Sequence, residues 1–127
     1  ADPHYTNLID EIMKYLSDSV QKARTAGIDG SKIFIDPGIG FGKTAEDNYR
    51  IMRYLEELQS LGFPILVGPS RKAFIGQVLN LPADERLEGT LAAVTAAVLN
   101  GADLVRVHDV KAAVRAVKIA DAIKGKS

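Results

Sequence analysis

The stretch Ile33-Phe34-Ile35-Asp36-Pro37-Gly38-Ile39-Gly40-Phe41-Gly42-Lys43 runs from three β-favouring residues straight into a glycine-rich loop. The strand must stop there, because Asp-Pro-Gly turns the chain and a proline cannot donate to a ladder. Beyond the loop, Ile51, Met52, Leu55 and Leu58 recur at helical spacing and predict a helix over about 45–60, closing at Gly62. The same order holds on either side. Upstream, Leu8, Ile9, Ile12, Met13, Leu16, Val20 and Ala23 predict a first helix with Asn7 as its cap and Gly27 as its stop. Downstream, the strand Ile65-Leu66-Val67 ends in Gly68-Pro69-Ser70-Arg71-Lys72, and a helical turn follows around Phe74 and Ile75. After a break at Pro82, a long helix is expected over 84–99, stopped by Asn100-Gly101. The last strand is Leu104-Val105-Arg106-Val107-His108, with a final helix over about 110–123. Short apolar strands alternating with helices point to parallel strands joined by helical crossovers, so the class is α/β. In such folds ligands sit beyond the carboxyl ends of the strands.

Composition limits what this arrangement can do. The chain has 127 residues, 46% of them apolar, with 16 Lys+Arg against 16 Asp+Glu. That length allows one domain, and the apolar content supports a packed core. The even mixture of charges along every segment argues against nucleic acid, which demands a basic face. With no cysteine, disulfides, thiolate metal sites and cysteine nucleophiles are excluded, which suits a reducing compartment such as the cytoplasm. No apolar run approaches the roughly 20 residues that cross a bilayer, so no membrane association is expected. The chain opens Ala1-Asp2-Pro3 without an initiator methionine and enters a helix pattern at once, as if upstream sequence were missing.

Three polar clusters stand at the predicted strand ends. In the first, Gly42-Lys43-Thr44 invites a phosphate-loop reading, but the glycine required five positions earlier is Pro37, and the glycines at 38, 40 and 42 miss the dinucleotide spacing. What remains is a turn that places Asp36 at a strand end and Phe41 on a loop; the plain alternative is that Asp36 only caps that turn. The second cluster puts Ser70, Arg71 and Lys72 at a helix start, where the dipole favours anions, so an anionic or electron-rich ligand sharing the site would explain the two cations. Two solvated surface charges are the alternative. In the third, the period of two sends Leu104, Arg106 and His108 to one side and Val105 and Val107 to the other. Burying an unpaired arginine costs several kcal/mol, so Arg106 on a buried strand calls for an anion: Asp109, another carboxylate or a bound phosphate. Its planar fork suits phosphate oxygens, and the histidine can donate or carry a proton.

Taken together, Asp36 to Lys43, Leu66-Val67-Gly68-Pro69-Ser70-Arg71-Lys72-Ala73-Phe74-Ile75-Gly76, Glu85-Arg86-Leu87-Glu88-Gly89-Thr90-Leu91-Ala92-Ala93 and Arg106-Val107-His108-Asp109-Val110 resemble the carboxyl-terminal half of dihydropteroate synthase, in order and spacing. The resemblance implies part of a (β/α)8 TIM barrel, with about three strands and their helices present, residues 1–127 forming a partial pterin-binding domain and the amino-terminal half of the barrel absent. It implies a transferase of folate biosynthesis, the sulfonamide target, which condenses 6-hydroxymethyl-7,8-dihydropterin diphosphate with p-aminobenzoate to give 7,8-dihydropteroate and diphosphate. Carried over by position, Asp36 would bind the pterin edge and Lys72 its carbonyl and ring face. Arg106 and His108, with the backbone at Val107, would hold the diphosphate; Lys72, Arg106 and His108 are the catalytic candidates. Phe41, Ser70, Arg71 and Ala73 would border the p-aminobenzoate side. Where the family often has serine, Ala73 offers only its amide, and where the family often has histidine stands Asp47. The Mg2+ that the resemblance implies would take its ligand from the missing half, and none from this chain.

The chain is accordingly expected to be incompetent alone. A residual pterin or diphosphate site on a half-barrel is one alternative, and a pterin-binding methyltransferase barrel is another. Leu87, Leu91, Ala92, Val94, Ala96, Ala97, Val98 and Leu99 leave little polar surface on the long helix, which predicts burial on more than one side and self-association. The resemblance implies a homodimer packed through the last helices.

Overall fold

The computed structural model describes residues 3–39, 44–69 and 73–125. Among these residues five α-helices are interspersed with three parallel strand segments. Helix α1 spans Pro3–Thr25, α2 Ala45–Arg53, α3 Ala73–Leu79, α4 Leu87–Leu99 and α5 Val110–Lys124. Strand β1 is Leu66–Val67 and β2 is Leu104–Val105, paired in parallel as Leu66 with Leu104 and Val67 with Val105. Ile35 adds a third segment through a parallel bridge to Ile65, fixed by Ile35 N–H to the Pro64 carbonyl (2.8 Å) and Leu66 N–H to the Ile35 carbonyl (2.8 Å). The spatial order is therefore Ile35, β1, β2, and all three point the same way. Among the described residues nothing pairs with the outer side of Ile35 or of β2.

The strand period of two divides this sheet cleanly. Ile35, Ile65 and Val67 face the helices and are buried, with Ile65 and Val67 at 0% exposure. They pack with Ile12 and Leu16 of α1, Ile51 and Met52 of α2, Ile75 of α3 and Ala97 of α4 in one continuous core. The opposite face is open. Phe34 is 55% and Leu104 45% exposed, with half-buried Leu66 between them.

Several expected boundaries shift for identifiable reasons. Helix α1 begins at Pro3 and takes Asn7 inside it, so Asn7 is not its cap; a proline is well suited to a first helical position, where its missing N–H costs nothing. Gly27, at φ +95°, ends that helix as expected. The helix expected over 45–60 breaks at Tyr54 and continues as a 3₁₀ segment, Leu55–Leu61. Leu55, Leu58 and Leu61 recur every third residue, so three residues per turn stacks them on one face and buries Leu55 and Leu58 completely. Similarly, the helix expected over 84–99 divides into a 3₁₀ turn, Ala83–Glu85, and α4. At that division the Arg86 Nε donates to the Leu81 carbonyl (2.8 Å) and its guanidinium lies against Gly76 of α3.

Within the single chain, helix α4 is buried along one side. Thr90, Val94, Ala97 and Val98 are buried, whereas Ala92, Ala96 and Leu99 are exposed. It packs along α5, whose Lys124 Nζ donates to the Val98 carbonyl (2.9 Å). Beside it, the Asn100 Nδ2 donates to the Met52 carbonyl (2.8 Å), joining the end of α4 to the end of α2. At the amino end of the sheet, the Asp103 carboxylate accepts from Ile65 N–H (2.9 Å) and ties the starts of β1 and β2 together.

Candidate active site

Because the strands are parallel, the residues that follow them emerge together at one edge. Asp36 follows Ile35, Gly68 and Pro69 follow β1, and Arg106, Val107 and His108 follow β2. Asp36, Gly68 and Arg106 continue the open face of the sheet one level beyond Phe34, Leu66 and Leu104. The face is thus apolar lower down and polar at its carboxyl edge.

Asp36 is half-buried, and its Oδ1 accepts from Gly38 N–H at 2.8 Å, with Gly38 at φ +77°. The turn-capping geometry that the sequence allowed is therefore present. It also fixes the carboxyl group, so that one oxygen holds the loop while the group stays at the strand end. Capping and ligand binding are compatible roles for two oxygens with several lone pairs.

Arg106 differs from its expected setting. The sequence reading treats its strand as buried, but Arg106 and His108 are exposed and Leu104 nearly half so. Arg106 is therefore not a buried charge that demands an anion, because the open face leaves the guanidinium in water. What holds Arg106 is shape. Its N–H donates to the Val67 carbonyl (2.9 Å), and its side chain lies across Gly68, where a Cβ would come within 3.2 Å of Nη2. Gly68 is the contribution that residue-by-residue reading missed: the absent side chain is the slot the guanidinium occupies. The signal was available in the Val67-Gly68-Pro69 order, since a glycine inside a strand end marks close approach of a neighbour. His108 stands two residues on, exposed on the same side, and Val107 turns the other way and is half-buried.

Of the remaining candidates, Phe41, Ser70, Arg71 and Lys72 lie outside the described residues. Ala73 opens α3, directly beyond β1 and its loop. Among the described residues, the buried polar side chains Asn48 and Thr90 sit in helices α2 and α4 and belong to the core rather than to the strand edge. Among the described residues no three acidic or imidazole side chains come together as a metal site, and no helix is long and apolar enough to cross a membrane.

A fixed carboxylate at one strand end and an exposed guanidinium and imidazole at another, all on the carboxyl edge of parallel strands, define an α/β protein whose polar groups gather where such folds place their ligands. The chain belongs to the pterin binding enzyme family, which residues 1–108 match. It is 51% identical over 120 residues to a dihydropteroate synthase from Synechocystis, covering 94% of this chain and 42% of that protein. The Bacillus subtilis dihydropteroate synthase is 47% identical over 123 residues, covering 97% and 43%. Among solved structures, a dihydropteroate synthase from Coxiella burnetii in complex with pteroic acid superposes with a TM-score of 0.94 at 39% identity, covering 98% of this chain and 46% of that one. The Yersinia pestis dihydropteroate synthase with a sulfonamide drug complex gives 0.91 at 39%, covering 93% and 43%. The chain spans less than half the length of these relatives and corresponds to their carboxyl-terminal half. Its fold is that part of a TIM barrel.

Proposed function

We propose that this chain carries the carboxyl-terminal share of a dihydropteroate synthase site, which joins 6-hydroxymethyl-7,8-dihydropterin diphosphate to p-aminobenzoate. The observation that carries this reading is Arg106 laid over Gly68 at the carboxyl edge, with His108 exposed beside it and Asp36 two strand segments away. In the reaction the p-aminobenzoate nitrogen forms a bond to the pterin methylene carbon, the carbon–oxygen bond to diphosphate breaks, and the amine gives up a proton. Negative charge collects on the departing diphosphate. A preformed guanidinium fork with an imidazole donor stabilises that charge most where it is greatest, in the transition state. Asp36, anchored by Gly38, presents a carboxylate to the nitrogen-rich edge of the pterin; Lys72 takes its carbonyl and ring face. Phe41, Ser70, Arg71 and the Ala73 amide form the p-aminobenzoate side.

The whole enzyme takes Mg2+ in this proposal, with its ligand on the amino-terminal half of the barrel. The chain alone binds the leaving group but does not turn over, because less than half of the relatives' length is present. We place the protein in the cytoplasm, where a cysteine-free chain of this kind suits a reducing environment. A homodimer is supported by an apolar groove of about 270 Å³ on the outer, helical side, lined among others by Met52, Val78, Leu79, Ala92 and Ala96.

Calorimetric titration of the chain with inorganic diphosphate tests the reading. Binding is expected, and Arg106→Ala should weaken it at least about tenfold, since hydrogen bonds to charged groups contribute about 1.5–3 kcal/mol each. Equal binding by the variant would sink the assignment.

A further inference from the structure

Helix α3 is seven residues long, too short to hold its place by its own hydrogen bonds. Its placement comes from α4, through two seats that face each other. Gly89 of α4 receives Ile75 and Leu79 of α3: a Cβ there would overlap Ile75 Cγ2 and come within 2.8 Å of Leu79 Cδ1. Gly76 of α3 receives Arg86 in return, since a Cβ on Gly76 would come within 2.7 Å of the Arg86 Nε and closer still to the rest of the guanidinium. Glycine weakens a helix interior, so two of them at facing positions mark close approach. Arg86 stands at the N-cap of α4, a position that favours Ser, Thr, Asp or Asn and disfavours a cation at the positive end of the helix dipole. Its side chain makes no cap bond there. It turns back instead, with Nε donating to the Leu81 carbonyl at 2.8 Å. A residue locally unsuited to its own helix but fitted to the neighbouring one serves the neighbour.

We infer that Arg86 is a positioning residue: it fixes where α3 begins, and so where the Ala73 amide meets the p-aminobenzoate side of the site proposed above. The inference rests on that reading for its substrate. Ala73 lies three residues before Gly76, less than one helical turn, so any slip at the Gly76 seat is delivered whole to the start of the helix. At the other end α3 is stopped by Asn80, at φ +56°, whose N–H donates to the Gly76 carbonyl at 2.6 Å. Gly76 is thus the point where the guanidinium and the last bond of the helix meet. A misplacement of about 1 Å at a substrate-positioning group can cost on the order of a hundredfold in rate. Arg106, seated over Gly68 and carried by the chain after β2, is held independently of this clamp, so the diphosphate side does not depend on it. Lysine would not replace Arg86, because it keeps the charge and can reach a carbonyl but lacks the flat fork that lies on Gly76.

Two measurements test the clamp and its consequence separately. The first is hydrogen exchange of the Asn80 amide in the 127-residue chain. Glycine to alanine inside a helix ordinarily stabilises it, so the sign of that change reads whether the seat is filled. With Arg86 in place, Gly76→Ala should speed exchange at least about twofold, and in the Arg86→Ala background it should slow exchange, because the methyl then occupies an empty seat. Slowing in both backgrounds would overturn the inference. The second measurement is steady-state kinetics of the whole synthase. Arg86→Lys should raise KM for p-aminobenzoate about tenfold and leave KM for the pterin diphosphate within about twofold. Ile65→Ala, a core truncation beside β1, should not split the two constants, since lost stability alone favours neither substrate. An equal rise of both constants in Arg86→Lys, or no rise, would overturn the positioning role. A whole enzyme that does not consume p-aminobenzoate would overturn the proposed function, and the sign reversal in exchange would still decide whether Arg86 places α3.

Discussion

The two faces of the sheet are built from alternate residues of the same strands yet live in different solvents. Ile65 and Val67 look into the helices and are sealed from water; Leu104, in the next strand, looks the other way and is 45% exposed. The difference shows that this chain's stability and its chemistry are separated by strand parity. Helix-facing positions hold the fold, while open-face positions carry Asp36 and Arg106 at their carboxyl edge. A one-residue slip of any strand would exchange the two sets, so the register Leu66 to Leu104 matters to both.

Paired truncation separates the two faces most strongly. Ile65→Ala should cost about 2–5 kcal/mol in urea unfolding, the usual cost of emptying a sealed aliphatic site, whereas Leu104→Ala should stay within about 0.5 kcal/mol in the free chain. Equal losses would mean the open face is covered after all. A smaller effect tests how the polar edge is seated. In Gly68→Ala the new methyl would approach the Arg106 guanidinium, which must shift because a Cβ there lies 3.2 Å from Nη2. Diphosphate affinity should fall several-fold, on the order of 1 kcal/mol, with little change in unfolding; unaltered affinity would show that Arg106 does not need the slot.

The smallest effect lies off both faces. The Asp29 side chain accepts from Ser31 N–H (2.9 Å) at the start of the turn Gly30–Lys32, and this bond from the backbone holds its carboxyl below the ordinary 3.8, with the Ser31 hydroxyl and the charge of Arg24 adding to the effect. A carboxyl depressed on folding stabilises above its unfolded value and loses that contribution as pH falls through the folded one. The stability gap between the native chain and Asp29→Ala should therefore be present at neutral pH and close in acid, below 3.8. A gap that persists at low pH would assign the turn to backbone geometry alone.

Much of this was legible in the residue order. Alternation of short apolar strands with helices led to parallel α/β topology, and the motifs at Asp36 and at Arg106 to His108 led to the family and to the edge where those residues meet. What residue order hid was three-dimensional. The leucines at 55, 58 and 61 fit a helix of either winding, and only packing selects the tighter one. The solvent exposure of Arg106 depends on what faces the strand, which periodicity cannot state; a strand that looks buried in a complete barrel is open in three strand segments. Gly68 carried no side chain to draw attention, and its role follows from the neighbour it admits.

The hydrogen bond from the Asn100 side-chain amide to the Met52 carbonyl has a consequence for chemical ageing. It joins two helices through a single N–H donor, and asparagine is among the thermolabile side chains. Hydrolysis to aspartate would replace the donor with a negatively charged acceptor pointed at a carbonyl oxygen, turning an attraction into a repulsion at a half-buried position. The ends of α2 and α4 would then be pushed apart by one lost ammonia, which makes Asn100 a position where a single chemical change loosens the packing of two helices.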